Sequence, residues 1–414
     1  MLTIAAGNTA LQSVLPALGR SLRVADSAVA ACFSVSALLW VIAAPYWAKR
    51  SETRGRRTMI LTGLGGFTIS LGTCGLFLAA GINGWIAGST AFLLFIAGRL
   101  IYGTFGSAAP PAVQALVAGQ TEREDRTRAL TLLASATGLG TIMGPAIAPF
   151  LILGAIGSFE IGLSGPAFFA AVFGAAVFVA VRATLPRDSG YHGDGGHGAV
   201  IGYPSIGGQQ TGASVTAATA EGIEQVGYGD ARIRNWMIVG LVLGHAQAMT
   251  GQAIGFLVID RLHVSPAEAL QPTGIVLMMG AGAALLVQWG IIPLIGLPPR
   301  WLVLVGMALA AAGTALTGVA GSLYGIAVAY ALASMGFGFA RPGFTAGSSL
   351  AVGPGAQGSV AGKVTSINGA SFVLGPSIGV GLYEAAHALP YLIAGVACVA
   401  TFAFGWFSLR DRAA

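Results

Sequence analysis

Three ionisable side chains interrupt long apolar stretches of this 414-residue chain: Arg99 in GRLIYG, His245 in LVLGHAQA and Arg341 in FARPGF. Charge is costly in an apolar interior, so each marks a candidate site. Arginine keeps its proton at physiological pH, so Arg99 reads as a donor to a neighbouring helix that biases a nearby protonatable group. A structural arginine bonded to backbone carbonyls is the plainer alternative. Histidine titrates near neutrality, which suits a group that loads and releases protons, and His245 competes there with a neutral histidine bonded between helices. Arg341 sits a turn or more from a helix end, where snorkelling to water competes with a cavity role. Scattered amides accompany them: Asn8, Gln12, Gln114, Gln247, Gln252 and Asn368, with Phe33, Trp40, Phe256 and Tyr330 available for aromatic contact or core packing. Such walls suit a neutral or cationic amphiphile better than a polyanion. Glu160, Asp260 and Glu384 fall near segment ends, where a carboxylate stays hydrated, and are weaker candidates.

The chain carries no paired carboxylates, nucleophile elbow, His-Glu-x-x-His or phosphate-cradling loop, so neither an enzyme nor a cofactor is expected. Cys32, Cys74 and Cys398 fit no metal-ligand spacing. His192 and His197 in YHGDGGHG read as solvated loop residues rather than metal ligands. A net charge of +6 has no contiguous basic surface behind it, which leaves nucleic acid out.

The elements that position these residues follow from composition. With 55% apolar and 9% charged residues and a mean hydropathy of +0.78, most of the chain needs lipid as its solvent. Twelve apolar runs are long enough to cross a bilayer. They cover 2–18, 27–47, 58–80, 85–116, 129–155 and 165–183, then 235–259, 269–292, 301–319, 322–345, 359–383 and 388–409. An even count puts both termini on one side. Met1 begins almost inside the first run, so no cleavable leader is expected. Sixteen Lys and Arg fall on the side of the termini and three (Arg20, Arg23, Arg261) on the other, which makes the termini cytoplasmic.

Six runs precede a polar, glycine-rich interval and six follow it. This gives an N-terminal bundle at 1–184, a linker at 185–234 and a C-terminal bundle at 235–414. Within the linker, TAATAEGIEQV is a candidate short surface helix. The halves repeat: FGSAAPP at 105–111 returns as FGFARPG at 337–343, and the Gly-Pro of GLGTIMGPAIAPF returns 231 residues later in GASFVLGPSIGVG. Gly140 and Gly144 leave one helix face bare for a neighbouring backbone, while Pro145 and Pro376 remove a backbone hydrogen bond and bend their helices. With Gly375 they form a phrase that shapes a cavity between parallel repeats.

PYWAKRSETRGRR at 45–57, Arg99 with Gly103, and the Gly-Pro phrase together resemble the major facilitator superfamily, in its twelve-span drug:proton antiporter branch. The resemblance spans nearly the whole chain. It implies two pseudo-symmetric six-helix bundles, alternating access and proton-coupled export of drug-like or amphipathic molecules by a monomer in the cell inner membrane. Glu52, Gly55, Arg56 and Arg57 would form a gating loop that latches the cytoplasmic sides of the halves. Ala48, Glu52 and Thr53 depart from the family pattern, and the loss of a cation at Thr53 weakens or rewires the latch. Ala148-Pro149 replaces the closing glycines of the export motif. The first run also lacks the acidic residue that many members use for coupling. A dedicated exporter of a sugar, siderophore or amino-acid derivative is the alternative within the fold, and a polytopic membrane enzyme is the remote one.

Overall fold

The computed structural model describes residues 1–121, 123–186 and 224–410, and it is almost entirely helical. The segment with His192, His197 and most of TAATAEGIEQV lies outside the described residues. Helices α1 (Leu2–Ser21), α2 (Asp26–Arg54), α3 (Arg56–Ile82), α4 (Gly88–Phe105), α5 (Ala109–Gln120), α6 (Arg123–Ile147) and α7 (Gly165–Thr184) come first. After the linker come α8 (Arg234–Leu262), α9 (Leu270–Leu285), α10 (Ile292–Ile295), α11 (Pro299–Val319), α12 (Leu323–Leu350), α13 (Gln357–Ala385) and α14 (Leu389–Ser408). A 3-10 turn at Gly106–Ala108 joins α4 to α5 in one crossing, and a π-turn at Leu286–Ile291 joins α9 to α10.

Ten helical segments among the described residues are long and apolar enough to cross a membrane. The two that complete the expected twelve, α1 and α13, are helices of 20 and 29 residues with a more polar make-up. Both carry amides and hydroxyls inward: Asn8, Thr9, Gln12 and Ser13 on α1, and Asn368 and Ser371 on α13, are buried. Polarity turned toward other helices lowers hydropathy without exposing anything polar to lipid.

One expected boundary is corrected. The fifth run, read as a helix to 155, ends its α-helix at Ile147; a 3-10 turn at Ala148–Leu151 follows, then an antiparallel hairpin of β1 (Leu153–Ile156) and β2 (Phe159–Gly162). Pro149 and the glycines at 154 and 157 explain the change, since apolarity alone does not keep a backbone helical. Gly55 breaks α2 from α3 at a φ of 88°, a conformation that glycine adopts without penalty. Trp47, just before the basic pair Lys49-Arg50, donates its indole N–H to Thr104 O at 2.6 Å and so ties the end of α2 to the fourth crossing.

The Gly-Pro helices run through their prolines and lie against the first helix of their own set: α6 against α1, and α13 against α8. A Cβ on Gly140 would strike Leu2 O, and one on Gly144 would strike Ala6 O and the Thr9 hydroxyl. On α13, a Cβ at Gly375 would strike Ala248 and one at Gly379 the backbone of Met249. Bare faces thus let backbones meet, and the close packing this allows is one of the attractions between helices in lipid.

The two sets touch along three seams. On α2 and α13, which run antiparallel, Ser27 N–H donates to Glu384 at 2.8 Å, Ser34 and Ser377 share a 2.7 Å hydroxyl bond, and Val41 faces Gly369. The contacts recur about every seven residues, as a helix seam requires. Gly274 of α9 faces Pro149 beyond α6, and α1 faces α8. Farther along α13 from Glu384, Gly362 faces open space, while Ile42 and Tyr46 of α2 are exposed. The named contacts therefore lie toward the face that holds the ends of α1, α8 and α13, here the Arg20 face. The opposite one, with Met1 and Gly55, is the terminal face.

Gly144→Val should lower the melting temperature in detergent by an overpacking cost of about 1–3 kcal/mol. Gly138→Val, where a Cβ meets nothing within 4 Å, should melt with wild type.

Candidate functional site

Each set of helices buries one guanidinium and holds it with a side-chain amide from its own first helix. Arg99 on α4 is fully buried and donates from Nη2 to Asn8 Oδ1 on α1 at 2.6 Å. The faces of Tyr102 and Phe33 lie 4.5 and 5.5 Å from its central carbon. Arg341 on α12 donates to Gln247 Oε1 on α8 and, at 3.4 Å, to Asn368 Oδ1 on α13. Snorkelling is thereby corrected: Arg341 is 3% exposed and turned inward, because two amide oxygens lie within its reach. An amide oxygen accepts from a charged donor without adding a second charge that must also be desolvated.

Between these pairs the sets are joined by amides. Gln12 Nε2 donates to Gln252 Oε1 at 3.0 Å, where α1 crosses α8. Farther along both helices toward the Arg20 face, Arg20 binds Asp260 through both terminal nitrogens. Gln12 with Gln252, and Arg20 with Asp260, are each 240 residues apart. So are Arg23 and His263, the two non-glycine residues with positive φ among those described, at 56° and 51°. The three pairs share one offset, which is not the 231–232 residues of the repeated phrases. A left-handed residue follows each helix, at the C-cap His263 of α8 and one residue beyond the C-cap of α1.

The remaining candidates fall into place around this layer or beside it. His245 is half-buried, with Nδ1 2.8 Å from Leu241 O on its own helix and 3.3 Å from Ser371 Oγ on α13. It bridges α8 and α13. Gln114 on α5 is buried, and its Oε1 accepts no hydrogen bond among the described residues. Phe256 packs under Arg20 at 5.6 Å, while Trp40 meets Tyr102 in a tilted ring contact at 5.3 Å; both are buried. In the loop expected to latch the halves, Arg57 donates to Arg182 O at 2.7 Å, and Arg56 lies where a Cβ on Gly119 would point. Both partners belong to the same set of helices. The side chain of Glu52 lies outside the described residues.

The Arg20 cluster was not singled out in the sequence, where Arg20 counted only toward orientation. The repeated phrases did not point to it, since their offset is 231–232 residues and these contacts are 240 apart.

Asn8→Leu should leave Arg99 with one charged hydrogen bond fewer, a cost of about 1.5–3 kcal/mol. The measurement is melting temperature and monodisperse yield in detergent. Asn8→Asp, which keeps an acceptor oxygen in place, should retain more of both than Asn8→Leu.

A family model described as the Major Facilitator Superfamily matches residues 1–376. Multidrug resistance protein 1 of Bacillus subtilis (strain 168) is 31% identical over 163 residues, which is 39% of this chain and 36% of that protein, so the match spans about a third of the relative's length. Among solved structures, a bacterial homologue of the iron transporter ferroportin in an inward-facing state superposes with a TM-score of 0.70 at 13% identity, covering 99% of this chain and 97% of that one. The xylose transporter of E. coli gives 0.65 at 14%, with 99% and 97% covered, and a human organic anion transporter gives 0.63 at 18%, with 98% and 96% covered. At such identities the likeness is one of fold. With the family model over most of its length and ten helical segments among the described residues long and apolar enough to cross a membrane, the chain belongs to the major facilitator superfamily and is a multi-pass membrane transporter rather than an enzyme.

Proposed function

We propose that this transporter exports drug-like or amphipathic small molecules by alternating access, coupled to protons. Residues 1–184 and 235–414 act as the rocking halves, with 185–234 as their tether. The terminal face is cytoplasmic, as the Lys and Arg asymmetry argues, and the membrane is the cell inner membrane. The observation that carries the reading is the polar layer: Arg99 with Asn8, Arg341 with Gln247 and Asn368, and Gln12 with Gln252 between them. It lies below a joined Arg20 face, where a substrate entering from the terminal face would meet it. The multidrug name of the partial relative supports export, as does the glycine-faced pairing of α6 with α1 and of α13 with α8.

Arg99 would bias the proton affinity of its surroundings, and His245 is the titratable group within reach of a helix that must move. When the halves close over the terminal face, Glu52, Gly55, Arg56 and Arg57 would latch them. A monomer suffices for this cycle. A second reading, a dedicated exporter of one polar metabolite, is favoured by the paired amides, which could recognise a specific set of hydroxyls or amides.

Cells with the protein should accumulate less of several dyes and drugs than cells without it, and a protonophore should abolish the difference. His245→Ala and Arg99→Ala should each cut protonophore-sensitive export several-fold with wild-type amounts of protein in the membrane. No difference across a diverse panel would reject broad export and favour the dedicated exporter.

A further inference from the structure

The second set of helices carries a cavity of about 520 Å³ on the terminal face, within the size range of small-molecule sites. The starts of α8 and α11 and the ends of α12 and α14 surround it. Its floor is closed where the ring of Trp236 fills the space that a Cβ on Gly347 would need. The lining is divided by chemistry. Arg232, Asn235 and Arg410 supply polar side chains, while Leu350 and Phe407, 60% and 83% exposed, supply an apolar edge. Among the described residues no carboxylate lines it.

The surroundings add to the positive charge of the lining. Arg234 is exposed at the first position of α8, and Arg300 occupies the second position of α11. Arg232 is shared with Glu224 and Asp230, at 2.7 and 2.9 Å, so the four arginines outnumber the two carboxylates beside them. Arg410 is exposed, and buried Leu409 pins the chain just before it. Carbonyls at the end of α14 are already answered: Asn235 Nδ2 donates to Ser408 O at 3.1 Å and Arg300 Nη2 to Trp406 O at 2.7 Å. The starts of α8 and α11 have no side-chain cap among the described residues, which leaves their positive ends for an anion.

Aromatic residues mark the level of this cavity in the membrane. Trp301 and Trp406, at the start of α11 and near the end of α14, meet edge to face at 5.8 Å, with the Arg300 guanidinium 5.9 and 5.8 Å from their rings. Tryptophan gathers where hydrocarbon gives way to headgroups. A site at that depth with cations beside exposed apolar side chains fits a ligand divided in the same way. A free phosphate would leave Leu350 and Phe407 uncovered.

We propose that this cavity binds an anionic phospholipid from the leaflet at the terminal face, with its phosphate beside Arg410 and Arg232 and its chains along Leu350 and Phe407. The lipid joins the ends of four helices, so its binding stabilises the folded protein. The site is independent of the compound transported, and failure of export leaves it readable.

The test is native mass spectrometry of the full-length protein in detergent, titrated with phosphatidylglycerol or with phosphatidylcholine of the same chains. Melting temperature is read in the same mixtures. Phosphatidylglycerol should bind several-fold more tightly and raise the melting temperature more. Arg410→Gln should weaken phosphatidylglycerol about fivefold, and Arg232→Gln with Arg410→Gln by up to about 25-fold, with phosphatidylcholine unchanged. Arg410→Lys should keep most of the affinity, and Arg54→Gln, exposed at the end of α2, all of it. Should the double variant fail to fold, Arg410→Gln, at an exposed position beyond the last helix, decides alone. Equal affinity for the two lipids, or a wild-type preference in Arg410→Gln, would overturn the site. Inorganic phosphate that stabilises as well as phosphatidylglycerol at equal concentration would make the ligand a free phosphate and overturn the lipid. Dimers that Phe407→Asp dissolves, with no lipid preference, would make this face an interface between copies and overturn it as well.

Discussion

An arginine inside a membrane protein cannot discard its charge, so the chain around it must be arranged to bear it. Arg99 and Arg341 impose that constraint once on each side of the molecule. Both meet it with amide oxygens, and in both cases the first helix of the set supplies one. This requirement ties the fourth crossing to the first and the tenth to the seventh more firmly than apolar packing can, because lipid competes with packing and does not compete for a guanidinium.

The same first helices are also the ones that the Gly-Pro helices approach most closely. With no Cβ at Gly144 or Gly379, the backbones of α6 and α13 lie against α1 and α8. The helices that bear the charged pairs are thus the helices held without side-chain cushioning. A displacement of α1 or α8 is then felt at both its polar partner and its glycine face. Between the two sets, Ser34 meets Ser377 and Gln12 meets Gln252 through side-chain hydrogen bonds.

Much of this was legible in the sequence because lipid leaves few options for polar groups. An amide in an apolar run has to face another helix, and Asn8, Gln12, Gln247, Gln252 and Asn368 do so. Glycines four apart announced a close approach, though not which helix would come near. Spacing could not say that Asn8 would serve Arg99 or that Gln247 would turn Arg341 away from water, since those choices depend on which helices touch. The hairpin after α6 was hidden by its apolar composition. Arg20 was hidden, and Asp260 ranked as a weaker candidate, for a different reason: at the ends of spans, charges look alike whether they orient the chain or join its halves.

Gln12 with Gln252, and Arg20 with Asp260, meet where α1 of one set faces α8 of the other. Two copies of glutamine satisfy each other in that arrangement, since a side-chain amide is both donor and acceptor, and Gln12 with Gln252 keeps the self-pairing form. Two copies of arginine or of aspartate would repel. Arg20 with Asp260 is a contact between unlike residues, and halves written in one chain are free to differ in this way. Covalent fusion here does more than keep the halves together: it permits an attractive charge pair between the first helices of the two sets.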